Sequence, residues 1–437
     1  MKHGLGQAYK SNWLEYLIFN LFCFAVILGI AFFFKTNLKP LHPLKKGLDD
    51  FSFTDIYYKI NKPDYELSKH RIPAQPELYV VNIGTLNRTG IAQVIDIINE
   101  GEPAVLSLDV VFHEKVDTTG TAALLKAMES SETIVQGYIS DDGEYCADGI
   151  YSMDALRIGK EAFINLPGSD PVNTVIRYFK PFHNKDIGLA TTTAFTYLEK
   201  TGTSLNHRQS KLKEATEKET EKCYSKKKYT IRFNRLLSEV YNNQFIDHTD
   251  VTDADFDPSV LKGKIVLLGY RGEMQSENVD GLPQIHPEID EDMYFTPLNK
   301  NMTGRSYPDM YGVDIQANII SNVLRGNYII KISDVLSWVI AFLLCLILSP
   351  LMIYFFVNQH IWFHIVAKLL QLFLSIVFVM IGVVVYANGF YLNSKPIVIS
   401  IILIVDLMYF YDAFVKYIAH RRQKQNKEMQ SVFLVEH

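Results

Sequence analysis

The sequence is poor in cysteine, and the four cysteines that it has are widely spaced. Cys23, Cys146, Cys223 and Cys345 form no CxxC pair and have no histidines at zinc-ligand spacing, so a structural zinc site is not expected. Cys23 and Cys345 lie in apolar runs, where cysteine is usually a small packing residue. Cys146 and Cys223 lie in the polar part of the chain. If that part lies outside the cytoplasm, the oxidising environment allows a disulfide between them.

Several functional motifs are also missing. No basic stretch carries interleaved aromatic residues and the net charge is −5, which argues against nucleic acid as a partner. The glycines near residue 269 match neither GxGxxG nor a P-loop, so no nucleotide cofactor is expected. The sequence shows no Ser-His-Asp or Cys-His arrangement, and a catalytic group without a partner is a poor candidate. We therefore expect a protein with no catalysis of its own, no cofactor and no bound metal.

Apolar residues are segregated into four long runs. The mean hydropathy is close to zero although 21% of the residues are charged, which indicates very apolar segments beside an ordinary polar domain. Since a membrane helix needs about 20 apolar residues, the sequence predicts four spans and an uncleaved first one. These spans are residues 13–34, 334–357, 361–386 and 397–418. The bilayer is thus the first partner that the sequence predicts.

The charges that flank the spans predict their orientation. The tail at 419–437 begins with the basic sequence AHRRQKQNK, and short basic flanks stay in the cytoplasm. Four spans then place residues 1–12 in the cytoplasm as well, and residues 35–332 on the other side of the membrane. Lysines at 35, 39, 45 and 46 oppose this orientation, but such charges have little influence on a long translocated domain.

The polar part of the chain alternates between strand and helix patterns. We expect strands at 78–84, 104–109, 133–138, 162–165, 175–179, 229–233 and 265–269, and helices at 89–99, 119–129, 189–200 and 312–324. This order predicts an α/β domain with a mostly parallel or mixed sheet and flanking helices, joined to an α-helical membrane part of four spans. The last helix combines an apolar stripe with a polar face of Asp314, Gln316, Asn318 and Asn322.

Two carboxylates are candidate ligand-binding residues. Asp109 ends an apolar strand, and carboxylates at strand ends line the ligand crevice of open α/β sheets. A turn-forming role for Asp109 is an equal alternative. Asp280 lies in an acidic loop with the densest set of metal-capable side chains, the others being His286, Glu288, Asp290, Glu291 and Asp292. The loop has no EF-hand spacing and is interrupted by prolines, which favours a solvated loop over a calcium site.

Charged residues in two other places need an explanation. Asp406 lies near the middle of the fourth span, where a carboxylate facing lipid costs about 2.5–3.5 kcal/mol. It should therefore face the helix bundle or a partner helix, either in signal coupling or in a hydrogen bond to a tyrosine such as Tyr409. Lys368 lies near the start of the third span, from which its amine can reach the headgroups. The run at 207–228 is charged and nearly free of apolar residues, which predicts a solvated helix or a mobile insertion.

Several motifs occur together in a fixed order. PAVLSLDVVF is followed by LKGKIVLLGY, by Asp280, by the Thr296-Pro297-Leu298 tripeptide and by YGVDIQANIISNVL, which runs into three closing spans. This pattern resembles the second type of CHASE domain, an extracytoplasmic sensor module of bacterial membrane receptors. The resemblance covers about residues 76–330, and it implies a location in the bacterial inner membrane. The chain departs from the family at Asn82 and Gly84, where an acidic residue is common, and in its charged insertion.

The resemblance implies a sensor that transmits a periplasmic signal. Family members carry an output domain after the last span, whereas about 20 residues follow that span here. We therefore expect a separate output protein as a partner, an unknown periplasmic ligand or protein, and a homodimer as one option. Gly312, Asn318 and Asp406 are the candidate coupling residues. Two alternatives remain open: a non-enzymatic accessory or scaffold subunit of an envelope complex, and an envelope hydrolase that uses Asp109 and the acidic loop.

Overall fold

The computed structural model describes most of the chain. The described residues are 13–35, 52–60, 77–112, 118–140, 149–167, 175–183, 186–219, 227–233, 245–272, 292–299, 308–357 and 362–435. Cys146, Cys223 and Asp280 lie outside these ranges, and so do the disulfide predicted for the two cysteines and the ligand role predicted for Asp280.

Long helices occupy both ends of the chain, and helices and strands alternate between them. Up to residue 200 the elements are α1 (Trp13–Lys35), α2 (Asp55–Ile60), β1 (Leu78–Asn82), α3 (Arg88–Glu100), β2 (Val105–Asp109), α4 (Thr118–Glu129), β3 (Ile134–Tyr138), β4 (Lys160–Phe163), β5 (Tyr178–Phe179), β6 (Phe182–His183), β7 (Asp186–Ile187) and α5 (Leu189–Lys200). After it they are α6 (His207–Glu219), β8 (Tyr229–Thr230), β9 (Phe245–Asp247), α7 (His248–Val251), β10 (Ile265–Gly269), β11 (Met293–Tyr294), β12 (Met310–Tyr311), α8 (Gly312–Arg325), β13 (Ile330–Lys331), α9 (Asp334–Val357), α10 (Phe363–Ala387), β14 (Phe390–Tyr391) and α11 (Lys395–Val435).

The chain divides into two compact units. The α/β unit comprises residues 58–330, and the membrane unit comprises residues 1–57 together with residues 331–437.

A six-stranded parallel sheet forms the centre of the α/β unit. Its strand order is β4-β3-β2-β10-β1-β9, so β10, the last of these strands in the chain, lies between the first two. The sequences of β1, β2 and β10 are LYVVN, VLSLD and IVLLG, and nearly all of these residues are buried. Continuous apolar strands of this kind suit a parallel sheet that is covered on both faces. The predicted parallel α/β architecture is thereby confirmed.

Helices cover both faces of the sheet. Residues of α3 and α4 form one hydrophobic core with Val81, Leu106 and Leu108 of the strands. Because side chains alternate along a strand, Ser107 points to the opposite face, where its hydroxyl lies 2.8 Å from that of Thr193 on α5. Helix α8 packs beside α5 on this second face and contacts β1 and β10.

Helix α8 is buried on its polar face as well as along its apolar stripe. Every residue from Gly312 to Val323 is buried. Gln316 donates to the carbonyl oxygen of Ile164 at 2.9 Å, and Asn322 donates to that of Arg232 at 2.9 Å. The helix ends at Gly326, whose φ of 62° is a left-handed conformation that glycine adopts at little cost. The polar face is therefore an interior surface in which each amide has a protein partner.

The start of the charged insertion is packed rather than solvated. Gln209, Leu212 and Thr216 of α6 are buried, and Gln209 Nε2 donates to the last carbonyl groups of α8, at Val323 (3.1 Å) and Leu324 (2.7 Å). The prediction of a solvated helix is thus wrong for this face of α6. Only three residues at helical spacing are needed to bury one face, and the charges around them conceal the pattern in the sequence.

Two of the predicted strands are much shorter than expected. Of residues 175–179 only Tyr178 and Phe179 form a strand, and of residues 229–233 only Tyr229 and Thr230 do. They pair with each other as an antiparallel ribbon outside the main sheet. The apolar side chains of these segments pack against other residues, although the backbone does not join the main sheet. Hydrophobic periodicity alone cannot distinguish such a segment from a strand of the sheet.

Within the described residues, the membrane unit has four helices that are long and apolar enough to cross a bilayer, at residues 16–33, 334–356, 363–387 and 395–425. Their interior is apolar, apart from polar contacts such as the one from Asn20 Nδ2 to the hydroxyl of Ser349 at 3.0 Å. Helix α11 continues as one 41-residue helix to Val435, well beyond the predicted span.

The structure pairs two charged residues of these spans, since Nζ of Lys368 on α10 lies 3.3 Å from Oδ1 of Asp406 on α11. The side chain of Asp406 is 51% exposed, so of the two predicted neighbours, the bundle interior and a partner helix, the partner helix stays a prediction. Tyr409, the alternative partner for Asp406, contacts the ring of His364 instead.

Candidate functional site

The carboxyl ends of four neighbouring strands lie side by side in the sheet. Asp109 of β2 pairs in register with Gly269 of β10, Gly269 pairs with Asn82 of β1, and Asn82 pairs with Asp247 of β9. Strand β10 leads to α8 on one face, whereas its neighbours β1 and β2 lead to α3 and α4 on the other. Ligands of open α/β proteins bind in the crevice that such a switch point creates. We call this row of strand ends the carboxyl edge.

Asn82 organises one side of the carboxyl edge. Its side-chain nitrogen donates to Asp247 Oδ2 at 2.8 Å and to the carbonyl oxygen of Gly272 at 2.9 Å. Its side-chain oxygen accepts from the backbone N–H of Gly84 at 3.0 Å and of Arg271 at 2.8 Å. All four hydrogen bonds of the amide are therefore made, although the residue is buried. Asn82 therefore fixes the loops that follow β1 and β10.

A buried ion pair joins the loop after β10 to the first turn of α8. Arg271 Nε lies 2.9 and 3.1 Å from the two carboxylate oxygens of Asp314, and their side chains are only 10% and 2% exposed. The guanidinium carbon also lies 3.8 Å from the ring centroid of Phe245 on β9, a cation–π contact. Arg271 therefore holds β9, β10 and α8 together at the carboxyl edge.

Two glycines allow α8 to approach this edge closely. A Cβ atom on Gly269 would lie 2.7 Å from Val313 Cγ2 and 3.3 Å from Asp109 Cβ. A Cβ atom on Gly312 would lie 2.7 Å from a carboxylate oxygen of Asp292. The N–H of Gly312 also donates to the carbonyl oxygen of Asp292 at 3.0 Å. The first turn of α8 is thus in contact with Asp292, and Gly269 lies between Val313 of this turn and Asp109.

The carboxyl groups here are harder to ionise than isolated ones. Burial, together with the nearby charge of Asp292, raises the pKa of Asp109 to about 8. Burial also raises the pKa of Asp292 and of Asp314 to about 6, although Arg271 opposes the effect on Asp314. Burial beside Asp292 raises the pKa of Tyr294 as well. The crevice therefore contains carboxyl groups whose charge changes with pH or with a bound cation.

The Thr296-Pro297-Leu298 motif has a structural role next to this cluster. The hydroxyl and the N–H of Thr296 donate to the carboxylate of Asp309 at 2.5 and 2.7 Å, and Asn299 donates to it at 3.3 Å. These bonds close the chain between β11 and β12, the antiparallel pair that leads into α8. The motif thereby positions Asp292 and the start of α8.

The structure brings together some of the predicted site residues and separates others. Asp109 and Gly312 lie at the carboxyl edge. Asn318 lies farther along α8, where it is fully buried and donates to the carbonyl oxygen of Asp314 at 2.9 Å. Asp292 was expected in a solvated loop, but it is partly buried beside Gly312. Among the described residues, no group of three or more His, Cys, Asp or Glu side chains is placed to hold a metal ion.

Arg271, Asp314 and Tyr294 are residues of the site that no sequence motif marks, and Asp292 is marked only as one of several acids in a loop. Arg271 follows a strand-ending glycine by two positions, and Asp314 lies in the first turn of a helix, so their locations carried a weak signal. Their pairing spans 43 residues, a separation at which the sequence gives no indication of contact.

Comparison with known families agrees with this architecture. The model of the CHASE2 domain family matches residues 73–353, about two thirds of the chain. The chain belongs to the CHASE2 domain family. CHASE2 domains are extracytoplasmic sensor domains, and the match includes the whole sheet, the carboxyl edge and α8. Comparisons with curated proteins and with solved structures gave no match.

The raised pKa of Asp109 predicts an unusual dependence of stability on pH. Between about pH 4 and pH 8 the folded protein holds more protons than the unfolded chain, so the free energy of unfolding falls as the pH rises. Asp109→Asn removes this contribution. One pKa unit corresponds to about 1.4 kcal/mol. We therefore expect the free energy of unfolding of the variant, relative to that of wild type, to rise by about 2–4 kcal/mol between low and high pH.

Thermal unfolding of the full-length protein in detergent across this pH range measures the effect. Asp154→Asn is the matched control, because the side chain of Asp154 is 99% exposed. Parallel pH profiles for wild type and Asp109→Asn would contradict the assignment.

The Arg271–Asp314 pair predicts a second effect on stability. Arg271→Met leaves the carboxylate of Asp314 buried without its ion-pair partner, which should lower the free energy of unfolding by about 3–5 kcal/mol. Lys262→Met is the control, because Lys262 pairs with Glu102 at a surface where both side chains are more than two thirds exposed. Exposed pairs contribute about 0–1 kcal/mol. Equal losses in the two variants, measured by denaturant unfolding, would refute the role of the buried pair.

Proposed function

We propose that this CHASE2 protein is a membrane-anchored receptor that senses a periplasmic ligand or protein at the carboxyl edge. The observation that carries the proposal is the position of Asp109, Asp292 and the Arg271–Asp314 pair. They lie at a topological switch point, where Asp292 and Arg271 contact the first turn of α8 and Asp109 lies beside Gly269 of β10. The proposal assigns no chemical reaction and no cofactor to the chain. It supposes that binding changes the position of α8.

The chemistry of the crevice favours one class of ligand. Carboxyl groups with raised pKa values bind a positively charged or hydrogen-bond-donating group, which replaces the bound proton as the favourable partner. Arg271 is already engaged with Asp314, so Asp109 and Asp292 are the carboxyl groups that such a ligand would meet. An amine or an amide-rich peptide suits this site better than an anion does.

The structure of α8 supports transmission along the chain. Gln316 and Asn322 on its polar face hydrogen-bond to Ile164 and Arg232 elsewhere in the domain, and Asn318 donates to Asp314 within the helix. These bonds favour movement of the helix as one element. Only residues 326–333 separate α8 from α9. A short connection transmits a displacement that a long flexible one would absorb.

Helix α11 supports an output partner on the other side of the membrane. At about 1.5 Å per residue its 41 residues extend about 60 Å, roughly twice the thickness of the hydrocarbon core. Its basic residues Arg421, Arg422 and Lys424 suit the cytoplasmic side. In this proposal both termini lie in the cytoplasm of a bacterial cell, the α/β unit lies outside the inner membrane, and the end of α11 contacts a separate output protein.

The experiment uses a defined perturbation in place of the unidentified ligand. A cyclase catalytic domain is fused in helical register to the C-terminal end of α11, so that reporter activity reflects the state of the membrane unit. Arg271→Met releases the first turn of α8 and should change reporter activity by about threefold or more, since coupling energies are about 1–3 kcal/mol. Four glycines inserted between Gly326 and Lys331 should abolish this response.

The control is the same insertion after Gly202, an exposed turn where an added Cβ atom would meet nothing within 4 Å. It should leave the response to Arg271→Met intact. A response that survives the insertion between residues 326 and 331 would disprove the connector mechanism. If Arg271→Met changes nothing in any background although the protein is folded in the membrane, the scaffold alternative is favoured over the sensor.

A further inference from the structure

Among the described residues of the membrane unit, one ion pair joins two different membrane helices at an exposed position. Lys368 on α10 and Asp406 on α11 form an ion pair, with Nζ 3.3 and 3.4 Å from the two carboxylate oxygens. Their side chains are 57% and 51% exposed. Both lie within the apolar spans, Phe363–Ala387 and Lys395–Gln425. The pair is therefore placed where the unit, taken alone, faces lipid.

Neighbouring polar residues extend this location into a patch. His364 lies one helical turn from Lys368 on α10, and Tyr409 lies one turn from Asp406 on α11. The rings of His364 and Tyr409 stack at 6.0 Å with an angle of 6°, and the Tyr409 hydroxyl lies 3.3 Å from His364 Nδ1. Both side chains are exposed. We call these four residues the intramembrane polar patch.

The next polar residue on α10 makes its hydrogen bonds in the interior, between the two helices. Gln371 is 4% exposed and donates to the carbonyl oxygens of Ile401 and Ile402 on α11, both at 2.8 Å. It holds the two helices together from the inside. The interface between α10 and α11 thus has an internal polar contact that does not involve Lys368 and Asp406. The outward position of the patch is a separate feature that intramolecular packing does not explain.

Lipid hydrocarbon cannot hydrogen-bond to the charged groups of such a patch or solvate them as water does. Ionisable residues in membrane spans almost always face a bundle interior, a water-filled cavity or another polar group. Here the ion pair satisfies one side of each charge and leaves about half of each side chain uncovered. A protein surface that covers the patch must therefore offer a negative group next to Lys368 and a positive group next to Asp406.

A second copy of the same chain meets this requirement. The patch contains one positive and one negative side chain next to each other, so its formal net charge is zero. A two-fold axis along the bilayer normal brings equivalent residues of two copies together at the same depth, as in any isologous interface. Lys368 then faces Asp406 of the partner subunit, and Asp406 faces Lys368 of the partner subunit. The same charges pair a second time, and no additional residue is needed.

We propose that the intramembrane polar patch on α10 and α11 is a self-association surface, through which two copies of the chain form a dimer held by reciprocal Lys368–Asp406 ion pairs. The proposal does not involve the carboxyl edge or any ligand, so it stands or falls separately from the proposed sensor function.

Single charge reversals provide the test, with full-length protein expressed as two differently tagged copies in one membrane. Two copies of Lys368→Asp place only carboxylates across the interface, and two copies of Asp406→Lys place only amines there. Each variant should lose self-association by about tenfold or more, because like charges at an interface are strongly unfavourable. Co-expression of the two variants restores both opposite-charge pairs across the interface. Mixed dimers should then be recovered by tandem purification at wild-type levels.

The matched controls are Asp412→Lys and Lys416→Asp, which reverse the charges of another ion pair on α11. They should neither abolish self-association nor select mixed dimers. Equal recovery of like and mixed pairs of the Lys368 and Asp406 variants would overturn the proposal. Such a result would show that the ion pair acts within one copy only.

A photo-crosslink covers the case in which the charge variants do not fold. A benzophenone side chain at position 409, in the otherwise unchanged protein, should give adducts of twice the mass of the chain. The same group at position 373 is the control, because Phe373 is 62% exposed but lies about half a turn away from Lys368 and His364 around α10. Adducts from position 409 only with another protein or with lipid would refute self-association through this patch.

Discussion

The buried ion pair between Arg271 and Asp314 is the contact on which the arrangement of the α/β unit depends. It joins the loop after the central strand to the first turn of α8, and Arg271 also packs on Phe245 of the edge strand. Removing one partner would leave a charge in the interior, which costs more than the pair itself contributes. The pair thus fixes where α8 begins, and the position of that helix determines the shape of the crevice at the carboxyl edge.

The carboxyl groups near this contact determine the electrostatics of the crevice. Burial raises the pKa of Asp109 and of Asp292; the charge of Asp292 adds to the effect on Asp109, and the charge of Asp314 adds to the effect on Asp292. The first turn of α8 contacts Asp292 directly, and its Val313 lies next to Gly269, the neighbour of Asp109 in the sheet. In the proposed receptor, a change in the charge of these carboxyl groups is transmitted to the helix through these neighbours. Sensing and transmission can therefore share one set of contacts.

Much of this architecture could be predicted from local patterns. The apolar runs of β2 and β10 indicate buried parallel strands, and four long apolar runs indicate the membrane helices. The contacts that shape the site could not be predicted, because they join residues that are distant in sequence. Asn82 binds the loop at Arg271, 189 residues away, and Arg271 binds Asp314, 43 residues away. Asp292 was misjudged because its acidic neighbours suggest a solvated loop, whereas its burial depends on the contact with Gly312.

The most direct test of the account is hydrogen exchange of α8 in the full-length protein in lipid nanodiscs, comparing wild type with Asp109→Asn. At about pH 9 wild-type Asp109 is ionised and the variant is neutral, so amides in the first half of α8 should exchange faster in wild type. At about pH 5, where both side chains are neutral, this difference should disappear, and α3 should be unchanged throughout. Identical exchange at both pH values, or a difference spread equally over α3 and α8, would contradict the claim that α8 responds to the charge at the carboxyl edge.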